Sequence, residues 1–194
     1  MDGLIVVDKP QGFTSHDVVA RVRRITDERS CGHTGTLDPP ATGVLVLCLG
    51  RATRLARFMV DLPKEYIAEI VFGVSTDTAD STGTPTRETS NFEIEKAAVF
   101  DAMSQFRGEI QQVPPMMSAV HHKGRRLYEL AREGIEVERQ ARTVEIYEIR
   151  PVDAESWPDP VVFGSRGRIQ VRCSKGTYVR TLCVDLCRAL RVEG

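Results

Sequence analysis

The twelve residues Gly32-His33-Thr34-Gly35-Thr36-Leu37-Asp38-Pro39-Pro40-Ala41-Thr42-Gly43 exclude ordinary helix and strand from one stretch of this chain. A residue that precedes proline is pushed out of the α region toward extended geometry, so Asp38 is held in a defined local shape. Three glycines surround it, and glycine lets a backbone take unusual dihedrals or approach another molecule closely. The apolar run Val44-Leu45-Val46-Leu47-Cys48-Leu49 follows at once and predicts a buried strand. A lone acid on a rigid, small-residue loop beside a core strand points to a catalytic or ligand-binding group. For the Asp-Pro dipeptide alone, a simple turn is the plainer reading.

The 194 residues predict one domain, or one domain with an appendage. No apolar run approaches the roughly 20 residues of a membrane helix. The N-terminus is acidic and then apolar, without a basic segment or a small-residue cleavage site, so a cytoplasmic protein without signal peptide is expected. The cysteines are Cys31, Cys48, Cys173, Cys183 and Cys187; no Cys-x-x-Cys occurs, and free buried thiols rather than a disulfide framework or zinc site are expected. Net charge is −1, but it is segregated. Residues 21–57 hold seven arginines against three acids, and residues 166–191 hold seven basic side chains against Asp185 alone. Such a chain can meet a polyanion on one face; a set of solvated helix faces is the other reading.

The pattern predicts a strand over 3–8 and a helix opened by a Thr14-x-x-Asp17 capping box, with Val18, Val19, Val22 and Ile25 at helical spacing. A short amphipathic helix is expected over 52–60 and an alternating strand over 64–73. Residues 75–90, rich in Ser, Thr, Asp, Gly and Pro, read as an exposed loop. A helix is expected over 92–106, and a proline pair, basic patch and short helix around Leu127–Glu133 within 111–138. Strands follow at 142–150 and 168–174, separated by an acidic connection, and a helix at 177–190. Strands and helices without regular βαβ alternation predict an α+β fold.

Several segments together resemble the TruB family of tRNA pseudouridine synthases. They are Gly3-Leu4-Ile5-Val6-Val7-Asp8-Lys9-Pro10 with Thr14-Ser15-His16-Asp17; the Asp38 string; Lys64-Glu65-Tyr66; Val113 to Ala119 with Arg126 to Gly134; and Ser174-Lys175-Gly176-Thr177-Tyr178-Val179-Arg180-Thr181-Leu182. These five motifs run in family order over nearly the whole chain. The resemblance implies a pseudouridine synthase catalytic-domain fold: a mixed, mainly antiparallel central sheet with flanking helices and a catalytic cleft. Family members usually continue with a strand that lines the uracil pocket and often a small PUA domain. The chain stops at Gly194, so residues 1–194 are expected to be the catalytic domain without that continuation, with weakened RNA affinity.

The resemblance also assigns roles. Asp38 is the catalytic carboxylate, as nucleophile or as promoter of elimination. Arg180 is its matching arginine, whose guanidinium suits a carboxylate; a cation in the first turn of a helix faces an unfavourable dipole, which hints at a specific anionic partner. Tyr66 works against the target uracil, although an aromatic in a strand is more often packing. His33 occupies space left by the flipped base. Lys9, Lys64, Lys175, Tyr178, Lys123, Arg125 and Arg126 are candidate RNA contacts. Of the other acids, Asp17 reads as a cap, Asp77 and Asp80 as members of a polar loop, and Asp185 as helical.

The implied reaction is redox-neutral and needs no cofactor or metal. The implied partner is the tRNA T-arm stem-loop, bound by a monomer without protein partner or membrane, at uridine 55. A guide-RNA-dependent synthase, a non-catalytic RNA-binding or tRNA-folding module, and a carboxylate-based hydrolase remain as alternatives.

Overall fold

A computed structural model describes all 194 residues, and its contacts fall into two units, Met1–Leu62 and Pro63–Gly194. In the first, β1 (Gly3–Lys9) alternates inward and outward residues, as a strand covered on one face must. Helix α1 (Ser15–Thr26) begins at Thr14, whose hydroxyl accepts the Asp17 amide while the Asp17 carboxylate accepts the Thr14 amide, the reciprocal cap expected from the sequence. Short β2 (Cys31–His33) and β3 (Gly43–Leu49) complete an antiparallel sheet in the order β1-β3-β2. Val18 and Val19 of α1 pack with Cys31, Leu45, Leu47 and Leu49 under that sheet. Ile25, expected on the buried stripe, is exposed, and so is Val44 at the start of the apolar run. The expected helix over 52–60 is a 3-10 turn, Gly50–Leu55, followed by one α turn, α2 (Ala56–Met59), with no buried residue in either.

The second unit is built on β4 (Lys64–Val71). It then forms an unforeseen hairpin of β5 (Val74–Thr76) and β6 (Pro85–Glu88), where an unstructured loop was expected. Helix α3 (Lys96–Ser104) is shorter than expected, because Ile94 instead bridges Val161 in extended pairing. Then come β7 (Gly108–Gln112), the two-residue strands β8 (His121–His122) and β9 (Arg125–Arg126), α4 (Leu127–Arg132), β10 (Arg142–Pro151), β11 (Arg166–Cys173) and α5 (Val179–Ala189).

The main sheet runs β4-β11-β10-β7, antiparallel at each pairing. One face is charged and solvated: Arg166 pairs Glu69, Gln170 donates to Glu65, and Arg168 pairs Asp153. The other face carries the core, where Ile70, Ile146, Ile149, Ile169 and Val171 meet Val99, Met103, Leu182 and Leu186 of α3 and α5. Trp157 lies flat enough on β11 that a Cβ at Gly167 would fall 2.3 Å from its ring, so this strand position requires glycine. The α+β class expected from the sequence is what the chain adopts. No helix is long and apolar enough to cross a membrane.

Candidate active site

The loop after β2 is stapled to the rest of its unit through the residues on either side of Asp38. Ser15, the first residue of α1, is 2% exposed. Its hydroxyl accepts the Leu37 amide at 2.9 Å and donates to the Leu37 carbonyl at 3.3 Å. On the other side, the Pro39 carbonyl accepts the Gly12 amide at 2.8 Å and the Lys9 ammonium at 3.3 Å. The Asp38 carbonyl accepts the Ala41 amide at 3.0 Å, closing the turn, and Thr34 donates to the Val46 carbonyl of β3. Asp38 itself is half-buried. The loop therefore presents one carboxylate from a backbone fixed at both neighbours.

Lys9 was expected to meet RNA phosphate, and the structure corrects this. It is 0% exposed, and its ammonium also donates to the carbonyls of Pro10 and Phe13 at 3.0 and 2.6 Å. Burial lowers its pKa, opposed by the nearby charges of Asp38 and Asp17. A fully buried lysine is rare unless its donors are matched, and here three carbonyls match them. Lys9 is an internal staple of the loop. His33 sits at the end of β2, half-buried, with its Nδ1 buried and lacking a hydrogen-bond partner. Burial holds the ring below the ordinary histidine pKa, against a smaller opposing pull from the Gly35 backbone and a small supporting one from His16. A neutral imidazole is therefore the favoured form there.

In the second unit, Tyr66 lies on the inner face of β4, opposite Val171, partly buried against the core. Arg180 lies in the first turn of α5 and donates to the Thr78 carbonyl at 2.7 Å and the Met117 carbonyl at 2.9 Å. Its charge also reaches Asp80. Burial pushes the Asp80 carboxyl up, but hydrogen bonds from the Thr82 hydroxyl and amide and the Thr78 hydroxyl, with the Arg180 charge, outweigh it and hold the group below the usual carboxylate range. Asp80, a polar-loop acid by sequence, thus lies within reach of the Arg180 charge. Gln112, at the end of β7 and 1% exposed, accepts the Tyr178 amide at 2.7 Å and donates to the Tyr178 carbonyl at 3.1 Å. It fixes the residue that opens α5 two positions before Arg180. Both Ser15 and Gln112 escaped the sequence reading. The signal was available in each, as a lone polar residue at a position whose neighbours at strand or helix spacing are apolar.

The basic patch His121–Arg126 forms a hairpin whose two-residue turn, Lys123-Gly124, has φ of 48° and 87°, the conformation that suits such turns. Lys123 and Arg126 are exposed; Arg125 pairs with Glu133. A cleft of about 400 Å³ beside it is lined in part by His121, His122, Arg139 and Arg142, and the Nε of Arg139 is buried there without a partner. Lys175 is exposed, while Lys64 and Tyr178 are half-buried.

Residues 23–179 match the family model described as the N-terminal domain of TruB family pseudouridylate synthases. The chain belongs to the TruB family. It is 51% identical over 192 residues to a tRNA pseudouridine synthase B from Symbiobacterium thermophilum, covering 99% of this chain and 62% of that protein. It is 50% identical over 186 residues to the protein of the same name from Pelotomaculum thermopropionicum, covering 96% and 58%. The chain thus spans about three fifths of the length of these TruB relatives. Among solved structures, it superposes on a chain of a Cbf5-Nop10-Gar1 complex with TM-score 0.69 at 30% identity, covering 98% of this chain and 45% of that one. A chain of an H/ACA RNP bound to a substrate RNA containing 2'-deoxyuridine follows at TM-score 0.66 and 27% identity, covering 98% and 44%. The family fold expected from the motifs is the fold found.

Proposed function

We propose that residues 1–194 are the catalytic domain of a cytoplasmic, monomeric synthase that converts uridine 55 of the tRNA T-arm to pseudouridine, without cofactor or protein partner. The carrying observation is the Asp38 loop. Its backbone is fixed on both sides of one half-buried carboxylate, and two relatives about half identical to the chain carry the name tRNA pseudouridine synthase B.

The reaction breaks the bond from C1′ to N1, turns the base, and joins C1′ to C5; the C5 proton leaves as N1 gains one. A carboxylate can open this sequence by attack on C1′ or by taking a proton from C2′, and either role needs Asp38 ionised and steady. Reaching C1′ requires the uridine to leave its stack. His33, half-buried at the end of β2, is proposed to fill or read the space that the base leaves. Tyr66 is proposed to lie against the uracil, and Arg180 to supply the cation of the chemistry. Lys123, Arg125, Arg126, Lys175, Lys64 and Tyr178 are proposed to hold the RNA, mainly at phosphates.

The test is tritium release from T-arm RNA labelled at uridine C5. One equivalent released per RNA is expected, and none from an RNA whose position 55 is cytidine. No release from the labelled uridine, or undiminished release after moving the label to another uridine, rejects the proposal. A guide-dependent mode is the second reading, motivated by the likeness to a Cbf5-Nop10-Gar1 complex. Turnover of bare tRNA by the purified protein decides against it.

A further inference from the structure

Ser15 is a polar side chain sealed in the first unit, and the cap of α1 does not use it. Thr14 and Asp17 complete that cap between themselves. The Ser15 hydroxyl instead satisfies both backbone groups of a residue 22 positions away, accepting from the Leu37 amide and donating to the Leu37 carbonyl. A side chain that bonds both the N–H and the C=O of one residue ties the two peptide units flanking that residue, here Thr36–Leu37 and Leu37–Asp38. The next residue is Asp38. On its far side the Pro39 ring restricts φ, and the Pro39 carbonyl is held by Gly12 and Lys9. With Ser15 removed, the Leu37 amide and carbonyl lose their side-chain partner, and the peptide that aims Asp38 is held less firmly on its near side.

We propose that Ser15 is a positioning residue for Asp38, holding the Leu37 peptide so that the carboxylate points along one direction. The inference rests on the reading of Asp38 as the reacting group. A displacement of about 1 Å in a reacting group can cost on the order of a hundredfold in rate, so the 2.9 Å bond at the Leu37 amide, backed by the longer 3.3 Å contact to its carbonyl, is enough to matter. Ser15 touches neither RNA nor the reacting atoms in this account. Its loss therefore lowers the rate of the chemical step and leaves RNA affinity alone.

The test compares wild type, Ser15→Ala and Ser15→Thr in three readouts: single-turnover tritium release at saturating T-arm RNA, RNA dissociation constant, and hydrogen exchange at the Leu37 amide. Ser15→Ala is expected to slow release about ten- to a hundredfold, to change the dissociation constant by less than about twofold, and to speed exchange at Leu37 while the amides of α1 keep their protection. Ser15→Thr, which keeps the hydroxyl, is expected to recover most of the rate. An unchanged rate or unchanged Leu37 exchange in Ser15→Ala overturns the proposal. So does a parallel loss of rate, affinity and α1 protection, which marks a general structural role. Should Ser15→Thr fail to fold, the three readouts on Ser15→Ala decide alone. Failure of the functional reading looks different, since wild type then releases no tritium. In that case Leu37 exchange judges the staple by itself, faster exchange in Ser15→Ala supporting it and equal exchange overturning it.

Discussion

The Asp38 loop and the His121–Arg126 hairpin are both irregular, charged segments, but they are built in opposite ways. Around Asp38 the polar groups turn inward. Ser15 and Lys9 are buried, their donors are matched to backbone carbonyls of the loop and its neighbours, and a single carboxylate is left partly open. In the hairpin the ladder is only two residue pairs long, and Lys123 faces solvent from the tight turn itself and Arg126 from the strand that follows it. The contrast follows from what each segment is proposed to do. A bond-making group loses rate steeply with displacement. A cation near a phosphate loses attraction slowly, over a screening length of about 8 Å at physiological salt. The first needs a buried polar scaffold; the second works from a thin exposed ribbon.

That contrast can be broken at either end. The largest of these effects is expected at Arg180. Arg180→Gln removes the charge beside Asp80 and weakens the ties to Thr78 and Met117. Tritium release should fall at least about a hundredfold, with the RNA dissociation constant changed far less; comparable losses in both would place Arg180 with the binding residues. Gln112→Leu leaves the Tyr178 amide and carbonyl without their side-chain partner. It should cost about 2 kcal/mol in a denaturant titration and slow release roughly tenfold, and a neutral result would show that the start of α5 needs no such staple.

The hairpin should respond in the reverse sense. Lys123→Asn keeps a residue type that tolerates positive φ, and together with Arg126→Gln it should weaken RNA binding several-fold. The slope of log affinity against log salt should flatten by about 2, while the rate at saturating RNA stays the same. A fall in that rate would mean that the ribbon aims the substrate as well as holding it.

The smallest effect is a pH dependence of stability. His33 titrates in the fold below its ordinary value of 6.5, so between the two values the unfolded chain takes up a proton that the folded chain refuses. Its contribution is complete above about 6.5 and is lost as pH falls through that window, at no more than about 1.4 kcal/mol per pH unit. His33→Gln should flatten the wild-type decline between pH 7 and 5; an equal decline in both would assign it to other groups.

The regular elements with apolar periodicity were legible in the sequence. The Thr14–Asp17 cap, the β4 alternation and the long strands β10 and β11 all follow from local pattern. The β5–β6 hairpin was not, because Pro85–Glu88 is exposed at every residue and its pairing with Val74–Thr76 owes nothing to an apolar face. That omission also hid Asp80, whose low pKa depends on Thr78, Thr82 and the distant Arg180. Lys9 was misread for a different reason. Its side chain lies on the same face of β1 as Ile5 and Val7, so the period of two predicted an inward lysine, and residue type was allowed to override it. Family motifs singled out Asp38, but only coordinates reveal that Ser15, 22 residues earlier, grips the peptide before it.

The most direct test of the account is Asp38→Asn, with single-turnover tritium release and RNA affinity measured on the same preparation. The substitution keeps the shape of the side chain and removes its charge. The account predicts no detectable release, with RNA bound within about twofold of wild type and unchanged exchange protection at Leu37. Release at the wild-type rate would contradict it, because the stapled loop would then be presenting a carboxylate that the reaction does not use.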